Sequence, residues 1–259
     1  MRIKLDLVQA NKSGFNIPIN YNHFLTSVVY KTIGDSSNEY ASFLHDEGYS
    51  SKEVGKKFKL FTYSQLRFSN MEVQGDMINS KTPEVWWYIS SPVTQFIEHL
   101  ASGLLDSGDV RIGKETFHVM KISSVKPPVF TDEMDFLCMS PIVSSTMVQK
   151  KGELKTYYYR FDDEELSTAL LSNLKNKYKL IHGEESKSVD ERFNVTFDKD
   201  YVEKKNGRIS KLVDFKDVRI KGIFAPFTVT GNPELIRLGY QAGFGEKGSM
   251  GFGMVKEIN

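Results

Sequence analysis

Apolar and polar positions alternate from the first residues. In MRIKLDLVQA, Ile3, Leu5 and Leu7 fall on one side and Lys4 and Asp6 on the other, the period of a half-buried strand. The period changes at YNHFLTSVVYKTIG, where Tyr21, Phe24, Leu25, Val28, Val29 and Ile33 recur at helical spacing and Gly34 offers a stop. Ser36 or Ser37 can cap a second, short helix whose apolar side is Tyr40, Phe43 and Leu44. FKLFTYSQLRF and EVWWYISS are aromatic-rich and read as strands. Ser91 and Pro92 signal a further helix, carried on by Val93, Phe96, Ile97, Leu100 and Leu104 and stopped near Gly108. ETFHVMKISSV closes this half as a strand, so residues 1–125 read β-α-β-β-α-β.

Pro127 and Pro128 punctuate the chain, and the order then repeats. DFLCMSPIVSSTMV reads as a strand. DDEELSTALLSNLKNKYKLIHG reads as a helix with Asp162 as its cap and Leu166, Leu170 and Leu174 on one face. ERFNVTFDKDYV is a strand, and VRIKGIFAPFTVTG holds one or two more. GNPELIRLGYQAG is a short helix capped by Asn232 with Pro233 in its first turn, and FGMVKEI is a last strand. The expected class is α+β: two tandem ferredoxin-like (βαββαβ, RRM-like) domains, residues 1–125 and 126–259. The repeat is one of element order, since the halves share no obvious identity.

Composition narrows the partners. The 259 residues are 40% hydrophobic, enough to fill two cores, and no apolar run of about 18 residues appears, so no membrane span is expected. The alternating N-terminus does not read as a signal peptide. The single cysteine, Cys138, excludes an internal disulfide and a cysteine-based zinc site, and a cytoplasmic setting is the simplest. Lys+Arg number 34 against 33 Asp+Glu, so a nucleic acid would be met by a local patch and not by the global field. Lys52, Lys56, Lys57 and Lys59 form one such cluster, which on charge alone is better explained as a solvated loop.

GFGEKGSMGFGMV, residues 243–255, formally matches the dinucleotide-binding pattern through Gly243, Gly245 and Gly248. That pattern needs a strand before the glycines and a helix opening on them, and here the order is reversed. A Walker loop fails because no Gly-Lys-Ser/Thr triplet occurs. Two readings remain. Gly243, Gly245, Gly248, Gly251 and Gly253 can bare successive N–H groups to a phosphate, with Lys247 adding charge and Ser249 a hydroxyl. Alternatively, the run is a flexible connector between helix and strand.

GYQAGFGEKGSMGFGMVK resembles the C-terminal glycine-rich motif of the CRISPR-associated repeat-processing endoribonucleases, the Cas-six family of the RAMP superfamily. IPINYNHFLTSVVYKTI, ASFLHDEG, FKLFTYS and MSPIVSSTM are similar to the same family in the same order, most specifically at residues 17–64 and 239–256. The resemblance implies two ferredoxin-like domains and metal-free cleavage of repeat RNA, leaving a 2′,3′-cyclic phosphate and a 5′-hydroxyl. It implies Tyr30, His45 and Lys59 as the catalytic set. It assigns RNA binding to Gly243, Gly245, Lys247, Gly248, Ser249, Gly251 and Gly253. Neither a cofactor nor a metal is expected. The implied partner is CRISPR repeat RNA, single-stranded or a small hairpin, with a CRISPR effector complex and a homodimer as further candidates. A non-cleaving RNA-binding module is the alternative, and a nucleotide-dependent oxidoreductase is disfavoured by the glycine order.

Helical geometry is compatible with these roles. At 100° per residue Tyr30 points about 140° from Leu25, and His45 about 140° from Tyr40, so both leave the apolar stripes of their helices. A half-buried surface tyrosine and a helix-end histidine would look the same. Metal-free cleavage needs a proton taken from the 2′-hydroxyl, a proton given to the 5′-oxygen, and positive charge on the phosphorus oxygens. Histidine exchanges protons near neutral pH and lysine supplies fixed charge, while the base is left open between His45 and Tyr30. His23 reads as a packing residue near the start of the first helix and His99 as surface-facing, His118 and His182 show no partner in the sequence, and Asp162, Asp163, Glu164 and Glu165 read as a charged first turn.

Overall fold

A computed structural model describes residues 1–150, 152–183, 190 and 192–258. Its first half holds β1 (Arg2–Gln9), β2 (Phe15–Pro18), α1 (Asn22–Ser36), α2 (Asn38–Ser42), β3 (Thr62–Tyr63), β4 (Arg67–Phe68), β5 (Met71–Gln74), β6 (Met77–Ser80), β7 (Glu84–Ser90), α3 (Thr94–Ser107), β8 (Asp109–Ile112) and β9 (Glu115–Ser124). The second half holds β10 (Glu133–Cys138), β11 (Ser145–Lys150), β12 (Glu153–Tyr158), α4 (Leu166–His182), β13 (Phe193–Phe197), α5 (Lys199–Lys204), β14 (Ser210–Phe215), β15 (Val218–Ile223), β16 (Phe227–Gly231), α6 (Pro233–Ala242) and β17 (Val255–Glu257).

Each half contains one antiparallel sheet of ferredoxin-like order. The first runs β3-β7-β1-β9-β8, with β4 also on β7, and the second runs β13-β16-β10-β17. Alternation in β1 does what its pattern predicts: Ile3, Leu5 and Leu7 are buried against α1 and α3 while Lys4 and Asp6 pair at 2.6 Å on the other face. In α1, Leu25, Val28, Val29 and Ile33 are buried, and each such side chain withdraws apolar surface worth about 1.5–3 kcal/mol. The hairpins β11–β12 and β14–β15 and the small sheet β2-β6-β5 are additions to the two ferredoxin-like frames.

Element boundaries depart from the sequence reading in several places: ERFNVTFDKDYV is a strand only to Phe197, with Asp198 capping α5, FKLFTYSQLRF gives two short strands, and four further departures each have a local reason. Gly34 does not stop α1, which runs on to Ser36; Ser37 then turns extended and its side chain accepts from Tyr40 N at 3.3 Å, capping α2. Ser91 does not cap α3, which starts at Thr94; its Oγ instead donates to Leu60 O and accepts from Val93 N. Asp162 does not cap α4, which begins at Leu166. The acidic run precedes the helix as a turn in which Asp163 accepts from Arg160 N and Tyr157 Oη, both at 2.8 Å. The segment 135–148 is two strands, because Pro141 cannot donate to a ladder and the chain leaves one sheet for a hairpin there. Among the described residues no helix is long and apolar enough to cross a membrane.

Candidate nucleic-acid interface

α2 ends in a turn of π-helix, Phe43–Glu47, closed by Gly48 N donating to Phe43 O at 2.7 Å. This wider turn carries His45 out to solvent, its side chain 71% exposed, and not onto a regular helix end. Gly48 has φ 65, a conformation that costs other residues about 1–2 kcal/mol. A Cβ there would stand 2.8 Å from Phe58 O and 3.2 Å from Lys59 Nζ, so only glycine lets the returning chain pass. Tyr49 and Phe58 exchange two backbone hydrogen bonds, which loop residues 50–57 outward and bring Lys59 back. Lys59 Nζ then donates to His45 O at 2.7 Å. Leu60, next in the chain and buried, sits at φ 52, a strained value for a branched side chain that turns the backbone from Lys59 into β3.

Tyr30 meets this turn from α1. Its ring stands 5.5 Å from the His45 ring, edge to face, and 6.1 Å from Phe61. The structure therefore gathers Tyr30, His45 and Lys59 from a helix, a π turn and a loop. Burial pushes the Tyr30 phenol up to about 12, so it is a neutral hydroxyl near pH 7. Burial lowers the Lys59 ammonium, assisted by the charge of Lys57 and opposed by Asp46. His45 Nδ1 is 2.7 Å from Asp46 Oδ1, a carboxylate oxygen that can only accept, so Nδ1 donates to it and Nε2 is the nitrogen left for other partners. Elsewhere His118 pairs with Asp109 at 2.6 Å, His182 stacks on Tyr178, His99 meets Ser36, and His23 lies on Phe24, all outside this cluster.

The glycine segment lies beside it, and most of its glycines face protein. Gly243, Gly245, Gly251 and Gly253 are buried with φ between 81 and 85. A Cβ would overlap Val143 O from Gly245, the Tyr63 ring from Gly251 and Phe244 O from Gly253. The backbone is stitched to both halves: Glu246 N to Val143 O at 2.7 Å, Gly253 N to Pro141 O at 2.8 Å, Thr62 Oγ1 to Phe252 O at 2.8 Å and Asn22 Nδ2 to Met250 O at 2.9 Å. Residues 246–250 are the half-exposed part, with Lys247, Gly248 and Ser249 at its centre. Lys247 takes the left-handed conformation at φ 60, and a Cβ on Gly248 would stand 2.5 Å from Phe61 O.

Between this segment and the 56–61 stretch opens a cleft of about 400 Å³. Lys56, Lys57, Lys59 and Lys247 stand at its wall, with Glu246 held by Ser145 at 2.7 Å. Two lining residues of α4 were not visible as site residues: Asn173, whose Oδ1 is buried without a partner, and the buried Lys177. The signal for Lys177 was its spacing, since it continues the Leu166, Leu170, Leu174 stripe where an apolar residue is expected. Among the described residues no group of three or more His, Cys, Asp or Glu could hold a metal ion.

Two family models cover almost the whole chain: "CRISPR-associated protein Cas6, N-terminal" over residues 16–123 and "CRISPR associated protein Cas6, C-terminal" over 125–257. A protein named CRISPR-associated endoribonuclease Cas6 1 from Methanocaldococcus jannaschii is 33% identical over 258 residues, which are 100% of this chain and 93% of the relative. A solved structure of a Cas6-related protein from Pyrococcus furiosus superposes with a TM-score of 0.84 at 26% identity, over 100% of this chain and 98% of that one. Another, described as a RAMP protein binding different RNA substrates, gives 0.81 at 26% identity over the full length of both.

Proposed function

The chain belongs to the Cas6 family, and from that premise we propose that it is an endoribonuclease that cuts CRISPR repeat RNA within precursor transcripts, using Tyr30, His45 and Lys59. The observation that carries the proposal is the convergence of these three side chains at the edge of a lysine-lined cleft, although 29 residues separate the outer two in sequence. The relative from M. jannaschii is named an endoribonuclease, and the full-length match supports the same activity here.

The chemistry follows from the groups. The 2′-oxygen attacks the adjacent phosphorus as the bond from phosphorus to the 5′-oxygen breaks, leaving a 2′,3′-cyclic phosphate and a 5′-hydroxyl. One proton leaves the 2′-hydroxyl and one reaches the 5′-oxygen. His45 Nε2, exposed and oriented by Asp46, is suited to one of these transfers. Tyr30, held neutral, orients the 2′-hydroxyl through a hydrogen bond. Lys59 has one of its three N–H donors on His45 O and can turn the others to the phosphorus oxygens as charge builds there. In the glycine segment, Lys247, Gly248 and Ser249 take the RNA backbone, while Gly243, Gly245, Gly251 and Gly253 shape the loop that presents them. The first half of the chain thus supplies the chemistry and the second the RNA grip.

The deciding experiment is incubation of the protein with repeat RNA in EDTA. Two products, one ending in a cyclic phosphate, are expected, together with no cut when the scissile 2′-hydroxyl is replaced by hydrogen. Activity that EDTA abolishes and magnesium restores would sink the mechanism. The rings of Tyr30 and His45 meet edge to face without a hydrogen bond between them, and this favours the second reading, an RNA-binding module that does not cut. Tight binding without any cleavage would establish it.

A further inference from the structure

Lys177 is the one buried lysine among the described residues, on the stripe of α4 that faces the core, and it reaches the floor of the cleft. Its Nζ lies 2.6 Å from Gly243 O, 2.8 Å from Gly245 O and 3.4 Å from Ala242 O. An ammonium has three donors, and these three carbonyls take them all. No backbone N–H among the described residues donates to any of the three carbonyls. Their arrangement has a cause. α6 ends at Ala242, Gly243 and Gly245 both turn at positive φ, and the chain points three of its next four carbonyl dipoles inward, those of Ala242, Gly243 and Gly245, where a helix C-terminus is already electronegative.

We infer that Lys177 is a positioning residue for RNA binding, an internal cation that gathers the carbonyls of the glycine segment and so fixes the half-exposed Lys247–Ser249 tip in the shape that takes the RNA backbone. Without it, three carbonyl dipoles would be left unpaired at the cleft, a repulsive surface for phosphate, and the α6 end of the loop would lose the one side chain that draws these carbonyls together. Lys177 makes no contact with RNA in this scheme, because its donors are already used. That separates it from Lys56, Lys57 and Lys247, whose ammonium groups line the same cleft from outside. Glu246, the acidic group in the cleft wall, helps keep the ammonium charged, against the burial that draws it down to about 7.

This inference rests on the RNA-binding reading above, and its test keeps the two apart. Repeat RNA is titrated at several salt concentrations against the wild-type chain, Lys177→Met and Lys177→Gln, with thermal melting as control and single-turnover cleavage at saturating RNA as a second readout. The expected result is affinity about tenfold weaker for Lys177→Met, partly restored in Lys177→Gln, whose amide returns two N–H donors. The salt slope of log K should stay as in wild type, and the saturated cleavage rate should stay within about threefold. A slope reduced by about 0.7, the single-strand value for one lost phosphate contact, would make Lys177 a direct RNA ligand and overturn the inference. So would unchanged affinity, or unfolding of both variants, which would make the residue one of global stability. If the wild-type chain fails to bind repeat RNA, the parent reading falls; if it binds and Lys177→Met binds equally, only this inference falls.

Discussion

The proposed reactive corner and the glycine segment meet at one cleft, but they are built in opposite ways. His45 is on the surface, on a single widened turn, held by one carboxylate and by its own carbonyl through Lys59. The glycines at 243, 245, 251 and 253 are buried, with backbone or ring from elsewhere in the chain at the place a side chain would occupy. A group that exchanges protons with a substrate has to reach solvent and adjust. A loop that joins two sheets while staying open to a polymer has to be fixed from behind. Glycine serves the second need here by close approach of backbone more than by flexibility.

If this division is right, substitutions in the two regions fail in different currencies. The largest effect is expected at His45. His45→Ala should slow single-turnover cleavage by roughly 10²–10⁴, about 3–5 kcal/mol of barrier, with RNA affinity and melting temperature nearly unchanged. A full-speed variant would remove His45 from the chemistry and break the comparison on its reactive side.

Gly245→Val comes next and should act on the fold. The new Cβ overlaps Val143 O and φ is 82, so a loss of roughly 3–5 kcal/mol in stability is expected, read as a lower denaturation midpoint. A variant that melts like wild type yet binds RNA weakly would move Gly245 from the architecture to the RNA surface.

Stability against pH offers a third test. Burial leaves Lys177 at about 7 in the folded chain, against 10.5 ordinarily. Between those values the unfolded chain binds more protons, so stability should rise with pH through that window, and the cost of the buried charge is full below pH 7. The rise between pH 7 and 9 is roughly 2–3 kcal/mol for one such group, and Lys177→Met should lose it. An equal rise in the variant would assign it to another residue.

The smallest effect is expected at the tip. Lys247→Ala should weaken RNA binding several-fold, about 1 kcal/mol, and lower the salt slope by about 0.7 with no change in melting. An unchanged slope would leave the backbone N–H groups of Gly248 and Ser249 as the tip's phosphate donors.

Periodicity carried the frame of the fold: the alternation of β1, the apolar stripe of α1 and the Asn232–Pro233 start of α6 all stand where the pattern put them. The helix starts at Ser91 and Asp162 were misplaced because a capping side chain can equally find partners outside a helix: Ser91 Oγ donates to Leu60 O and accepts from Val93 N, and Asp162 pairs with Arg160. Tyr30, His45 and Lys59 could be named from the resemblance, but their approach depends on the π turn and on Gly48, and neither has a periodic signature. Lys177 was hidden by its type. A lysine in a helix is ordinarily solvated, and only the three carbonyls folded onto it from some 65 residues downstream distinguish this one.

Arg2 ties the beginning of the chain to its end. Its buried guanidinium donates to Tyr240 O at 2.6 Å and Val255 O at 2.7 Å and lies 3.6 Å over the Tyr240 ring. The two acceptors lie 238 and 253 residues downstream of Arg2. As the chain emerges from a ribosome, β1 can enter its sheet long before they exist, and during that interval Arg2 has to stay hydrated at the edge of a half-made molecule. Completion of the second sheet is then the event that pairs this guanidinium, so the contact between the halves is made only after the first sheet can already stand.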